Sequence, residues 1–282
     1  MIPPRNPAVF GLKVRIRQLP GPVVDAIRRL LDRLLGFTAF NAIYARLPPS
    51  DTDNFAATLL AGMDVRVEWD GAPKETVPLT GPLVVVANHP FGMVEGMALG
   101  AFFSALRSDV SVMVLHLLSA IPEYRERLIF VEPRPSPKRR MQNAAGWMKA
   151  LRWLGDGGVV AVFPAGLVAR YDWRRRKLVD RPWSPRVAGL IRRSGATVIP
   201  VWFHGGNGWL FQVLGTVAPG LQDALLMRQM VNKRGATLRA ALGTPIAPER
   251  LAAFPDDAAA IAFLRAETEK LGPDGATRPS FR

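Results

Sequence analysis

Cysteine is absent from the chain, which excludes disulfides, thiolate nucleophiles and Cys-ligated zinc or iron–sulfur centres. Histidine is scarce. His89, His116 and His204 are the only three, too few for a His-rich metal site, and no metal is expected. Also missing is a clean run of about 20 apolar residues that could span a bilayer. The longest weakly charged stretch, residues 81–106, is broken by Asn88, His89, Pro90 and Glu95 and reads as strand, turn and helix. The opening Met-Ile-Pro-Pro-Arg-Asn-Pro is too polar and Pro-rich for a signal peptide. The expectation is a protein made in the cytoplasm and lying peripherally on the cytoplasmic side of the cell membrane. Acidic residues are outnumbered, 23 against 37 Lys and Arg, for a formal charge of +14. That surplus favours an anionic partner: nucleic acid, anionic lipid, a phosphorylated cofactor or an acidic carrier protein. The cations are scattered and no nucleic-acid-binding motif accompanies them, so nucleic acid is disfavoured.

What is present is globular: 49% hydrophobic and 21% charged residues over 282 positions. Val24, Ile27, Leu31, Leu34 and Leu35 recur at helical spacing within residues 22–47, with Arg28, Arg29, Asp32 and Arg33 between them. Such a helix either packs on its own domain or lies in a membrane interface. Asp51 or Thr52 can cap a helix to about residue 60. The β-branched run 83–87 predicts a strand buried on both faces. Further strands are expected near 63–69, 110–115, 128–131, 159–163, 197–203 and 236–242. Helices are expected to about 106, over 137–154, 185–194 and 256–271. Alternating strands and helices predict an α/β fold, a mostly parallel central sheet flanked by helices, with an N-terminal amphipathic helical segment. No linker or repeat divides the chain sharply. Residues 1–62 read as a helical, membrane-associating segment, 63–250 as the catalytic domain, and 251–282 as a C-terminal helix and tail packed on it. Functional groups of such sheets gather beyond the carboxyl ends of strands. Three unusual segments fall there: NHPFGMVEG from Asn88, FPAG from Phe163 and HGGNG from His204.

His89 directly follows a buried strand, and Glu95 lies on the first turn of the next helix. A carboxylate on one imidazole nitrogen fixes the tautomer and leaves the other free to take a proton from a hydroxyl. With no Cys and no G-x-S-x-G elbow, the hydroxyl would be the substrate's. The bland alternative is a structural histidine at a helix start.

Four blocks, in order, resemble a known family. NHPFGMVEG is similar to the His-to-acid block of the lysophospholipid and glycerol-phosphate acyltransferases. Within that superfamily it resembles most the branch named for hemolysins, which is similar to the ornithine-lipid O-acyltransferases. LIFVEPR ending at Arg134 resembles the second block, VVAVFPAGLVAR ending at Arg170 the third, and TVIPVWFHGGNG the fourth. WSP at 183–185 also fits that branch. The resemblance covers about residues 65–248 and implies a glycerolipid-acyltransferase-like fold. The superfamily's commoner first block is one residue shorter and ends in Asp, and its third has Glu where this chain has Ala165. Both departures suit the hemolysin-like branch and weaken lysophosphatidate as the acceptor. The resemblance implies direct acyl transfer from acyl-CoA or an acyl carrier protein to a lysophospholipid or lyso-ornithine-type hydroxyl. No cofactor is bound, and an anionic membrane surface is a further partner. His89 and Glu95 would be catalytic. Asn88, Gly92, Arg134, Phe163, Pro164, Gly166 and Arg170 would bind substrate, with oxyanion donors among the amides near Gly92 or Gly166. The alternative is a catalytically silent, hemolysin-like lipid-binding protein.

Other features have two readings. The run Arg174-Arg-Arg-Lys177 is a solvated loop or a contact to membrane or carrier, and Lys138-Arg139-Arg140 invites the same choice. His116 reads as structural, His204 as a residue near the pocket, and GGNG as a plain turn without the Lys-Ser/Thr of a phosphate loop. The tryptophans read as core, acyl tunnel or membrane belt.

Overall fold

The computed structural model describes residues 9–12, 20–48, 54–132 and 137–273. Its strands are β1 (Arg66–Gly71), β2 (Leu83–Ala87), β3 (Val110–Val114), β4 (Leu128–Phe130), β5 (Val159–Val162), β6 (Arg170–Asp172), β7 (Lys177–Val179), β8 (Thr197–Phe203) and β9 (Thr237–Leu242). Seven form one sheet in the order β1-β9-β8-β2-β5-β3-β4, while β6 and β7 make a separate antiparallel hairpin. From β8 to β4 every pairing is parallel. β9 runs antiparallel to β8 and carries β1 parallel beside it.

The helices are α1 (Gly21–Leu34), α2 (Phe37–Arg46), α3 (Phe55–Gly62), α4 (Val94–Ser104), α5 (Pro137–Gly155), α6 (Pro185–Ser194), α7 (Trp209–Val217), α8 (Pro219–Ala224), α9 (Leu226–Val231), α10 (Pro248–Ala252) and α11 (Asp257–Lys270). They cover both faces of the sheet. Strand side chains alternate faces. Leu83, Val85 and Ala87 of β2 therefore join Phe40 and Tyr44 of α2, Phe55 and Leu59 of α3, and Met97 and Leu99 of α4 in one core. Val84 and Val86 join Leu154 of α5, Ile191 of α6 and Leu264 of α11 in the other. All five β2 side chains are buried, which explains the unbroken β-branched run.

The register sets Val86 beside Val162 and Ala87 beside Val201, so the carboxyl ends of β2, β5 and β8 meet at one edge. The opposite edge is closed by buried Arg107. Its guanidinium bonds Asp109 and the carbonyls of Pro78, Gly81 and Gly157.

Three features differ from the reading of the sequence. The helix expected over 22–47 is two helices, because Gly36 between them holds φ +86, and a Cβ there would lie 2.7 Å from the Arg228 main chain. The basic run 174–177 is the tip and return strand of the β6–β7 hairpin, turned by Asp172, which accepts the Arg174 and Arg175 amides. The stretch between β8 and β9 holds α7, α8 and α9, where no elements were expected. The capping role of Asp51 or Thr52 lies outside the described residues.

Gly36→Ala must adopt a left-handed backbone and push into α9. We expect it to lower the free energy of unfolding by about 1–3 kcal/mol, measured by urea denaturation. An unchanged midpoint would show that the junction does not require glycine.

Candidate active site

His89 leaves β2 at the edge where β5 and β8 also end, and the turn from Asn88 to Gly92 carries it. That turn is held by its neighbours at nearly every polar atom. The Asn88 side chain donates to the Phe203 carbonyl (2.9 Å) and accepts the Phe203 amide (2.7 Å), tying β2 to the end of β8. The His89 amide donates to Asp180 Oδ1 (3.1 Å), and the His89 carbonyl accepts the Ala169 amide (2.8 Å). The Phe91 carbonyl accepts from Asn207 Nδ2 (2.8 Å). Gly92 sits at φ +106, where a Cβ would meet Leu226 at 2.6 Å and Val168 at 2.8 Å. Only glycine fits this bend.

Glu95, fully buried on the first turn of α4, closes the arrangement from below. One oxygen, Oε1, accepts the amides of Phe91 (2.9 Å) and Gly92 (2.7 Å) and lies 3.0 Å from His89 Nδ1. The imidazole contact is close, and it acts through both hydrogen bonding and charge. Burial alone would raise the Glu95 carboxyl. The His89 hydrogen-bonding and charge contacts and the Gly92 amide overcome this and hold it below its usual value. Lys233, stacked 4.6 Å over the Phe91 ring, adds a cation nearby; burial lowers its own ammonium value, against the pull of Glu95.

Phe163, the first residue of FPAG, stacks on the imidazole with centroids 4.3 Å apart. Asp180 is a half-buried residue that the sequence reading passed over. Besides His89, it accepts the Trp183 indole N–H (2.9 Å). Burial pushes its carboxyl up, opposed by the Trp183 and His89 hydrogen bonds.

His89, Gly92, Phe163, Pro164 and Gly166 line a cavity of about 290 Å³. Met93, Met97, Met113, Leu115, Leu118 and Leu226 make most of its remaining wall apolar. Arg186, at the start of α6 after WSP, brings a cation to the wall. The cavity thus sets a ring nitrogen backed by a carboxylate against a chain-sized apolar space.

The remaining candidates fall elsewhere. Asn88 lies behind the turn, its amide taken by β8, and is placed as a clamp rather than a ligand group. Arg170 is exposed on β6 and does not line the cavity. Arg134 and the side chains of Lys138 and Arg139 lie outside the described residues; Arg140 is exposed. The amides of Gly92 and Gly166 are not free for an oxyanion: the first donates to Glu95, the second to the Phe163 carbonyl (2.9 Å). His204 does not line the cavity, and burial lowers its value from 6.5. His116 is exposed, pairs with Ser119 Oγ and stacks on Phe130. HGGNG is a turn whose Asn207 braces Phe91. Asp180 and Arg186 flank WSP, and that proximity was the signal available for both.

A family model described as Acyltransferase matches residues 14–272. A lyso-glycine lipid O-acyltransferase of Phocaeicola vulgatus is 26% identical over 200 residues, 68% of this chain and 68% of that protein. The crystal structure of the 1-acyl-sn-glycerophosphate acyltransferase PlsC of Thermotoga maritima matches with a TM-score of 0.50 at 14% identity. The match covers 85% of this chain and 80% of that one and is a likeness of fold.

Two stability measurements check the geometry. Asp180→Ala leaves the His89 amide and Trp183 indole without their acceptor, at a cost of about 1–3 kcal/mol for each buried group; thermal and urea unfolding should both register it. Glu95 has a lowered folded value, so its contribution is present above the usual 4.5 and is lost as pH falls through that lower value. The stability gap between wild type and Glu95→Gln should therefore be flat near neutrality and narrow below about pH 4.5. A gap independent of pH would contradict an ionised Glu95.

Proposed function

We propose, from the premise that this chain belongs to the acyltransferase family and is an acyl-transferring enzyme, that its acceptor is the hydroxyl of a lysolipid built on an acylated amino acid. The acyl donor in this reading is a fatty acyl thioester, of CoA or of acyl carrier protein. The observation that carries it is the His89–Glu95 pair on the wall of an apolar cavity. The relative named for lyso-glycine lipid supports the acceptor class. So does Ala165, which leaves the third block without its usual carboxylate.

In this mechanism Nδ1 of His89 faces Glu95, and Nε2 is the base. As the acceptor oxygen attacks the thioester carbonyl, Nε2 takes its proton. The negative charge of Glu95, 3.0 Å away, favours the imidazolium that forms. The tetrahedral intermediate collapses with cleavage of the carbon–sulfur bond, and the departing sulfur takes the proton from Nε2. The products are an O-acyl ester and a free thiol, with His89 returned to its neutral form. Phe163 holds the ring flat from one face, and the Asp180 and Ala169 contacts fix its main chain. Such fixed placement contributes because a reacting group must sit within hydrogen-bond reach of the proton it removes.

The apolar wall, Met93, Met97, Met113 and Leu118 among it, suits a fatty acyl chain; Met is the most adaptable apolar lining for a flexible ligand. Arg186 meets the carboxylate of the amino-acid headgroup by a charge-assisted hydrogen bond. With lipids as substrates, the enzyme works peripherally at a membrane surface.

Purified protein given an acyl thioester and lyso-glycine lipid in detergent micelles should form the diacylated lipid, followed by mass spectrometry. His89→Ala should lower kcat by about 10²–10⁴, and Glu95→Gln should lower it less. Arg186→Ala should raise KM for the lysolipid by about tenfold with kcat little changed, the loss of one charge-assisted contact. Full turnover in His89→Ala would overturn the mechanism. A rate on lysophosphatidate equal to that on the amino-acid lipid would overturn the acceptor class.

A further inference from the structure

Outside the cavity, apolar side chains and cations gather on one surface patch. α7 has the sequence WLFQVLGTV, without a charged residue. Phe211, Gln212 and Gly215 face inward. Trp209, Leu210 and Val217 are exposed at 59%, 57% and 72%. At 3.6 residues per turn, Trp209, Leu210, Val213 and Val217 share the outer face. The β6–β7 hairpin is fastened to this helix. The Tyr171 amide donates to Gln212 Oε1 (2.9 Å), and the exposed Trp173 indole donates to Thr216 Oγ1 (3.3 Å). Trp173 thus borders the apolar face, and the hairpin tip places Arg174, Arg175 and Arg176 next to it. Asp172 gives one oxygen to the turn's own amides and sets the other 3.8 Å from Arg175 Nε, so it offsets one of the three guanidinium charges and the tip keeps a net positive charge.

Both elements spring from the backbone that braces the His89 turn. Ala169, which donates to the His89 carbonyl, precedes β6 directly. Asn207, which donates to the Phe91 carbonyl, lies two residues before Trp209.

We propose that α7 and the β6–β7 hairpin together form a docking surface for an anionic bilayer, set beside the catalytic turn. The complementarity is specific to lipid. Trp side chains at the border of an apolar face favour the headgroup level. A short uncharged helix face can enter the acyl boundary. Clustered Arg draws anionic headgroups within a Debye length. The proposal rests on the acyl-transfer reading only for the statement that the substrate resides in that bilayer.

The test is co-sedimentation of the full chain with phosphatidylcholine vesicles, with and without phosphatidylglycerol. Wild type should pellet with the anionic vesicles, weakly with the neutral ones, and less as salt rises. Arg174→Gln/Arg175→Gln/Arg176→Gln should lower the partition constant by about a hundredfold, near fivefold for each cation removed. Trp209→Gln/Leu210→Gln/Val217→Gln should abolish pelleting. In detergent micelles both variants should turn over lysolipid at the wild-type rate. Wild-type pelleting in either variant would overturn the proposal. So would equal binding to neutral vesicles, or loss of binding only in Leu30→Gln/Leu34→Gln of α1. If wild type pellets as expected but transfers no acyl group, the acceptor reading fails and the docking surface stands.

Discussion

A single carboxylate oxygen organises the site. Glu95 Oε1 takes the amides of Phe91 and Gly92 and the charge of His89 Nδ1, so one atom fixes both the path of the turn and the face that the imidazole presents. A fully buried carboxylate is costly to desolvate and remains ionised only if its partners compensate. Here two backbone amides and an imidazole do so, and the carboxyl is held below its usual range. The other oxygen, Oε2, has no hydrogen-bond partner among the described residues, so Oε1 carries the whole interaction. Gly92 makes this possible, because its amide reaches Glu95 only from a backbone conformation closed to residues with a Cβ.

Around that atom the fold works as a set of braces. Three adjacent parallel strands end together, and each sends its next residues to the same turn: β2 supplies it, the segment after β5 stacks Phe163 on the ring, and the segment after β8 reaches back through Asn207. The Asn88 side chain then ties the start of the turn to Phe203. Two buried cores, one on each face of the sheet, keep those strand ends in register. The general-base role proposed for His89 would need this rigidity, since a displacement of an ångström takes a nitrogen out of reach of its proton.

The surplus positive charge divides by location. Arg107 is internal and closes the far edge of the sheet through four neighbouring groups. Arg192 joins Asp257 between α6 and α11. Arg186 stands on the cavity wall, and the hairpin cations are exposed beside an apolar helix, Arg175 paired with Asp172. The same residue type therefore stands as a structural staple, a cavity-wall cation and a surface charge. Burial and the number of nearby acceptors decide which.

The sequence by itself determined the alternation of strands and helices. The runs 83–87 and 197–203 and the helix 185–194 lie where patterning placed them, because burial on both faces and Pro at a helix start are local signals. It also drew attention to His89, Glu95 and Phe163, which the fold brings together. Tertiary structure alone decided the rest. Asp180 reaches His89 across 91 residues of chain, and no periodicity marks a carboxylate whose partner is a distant amide. Arg170 belongs to a matching motif yet projects into solvent, while Arg186 reaches the cavity because α6 begins at its wall. The break at Gly36 depends on the approach of the Arg228 backbone. Propensity and hydrophobic period act over a few residues, whereas contacts between remote segments exist only once the sheet has set their distance.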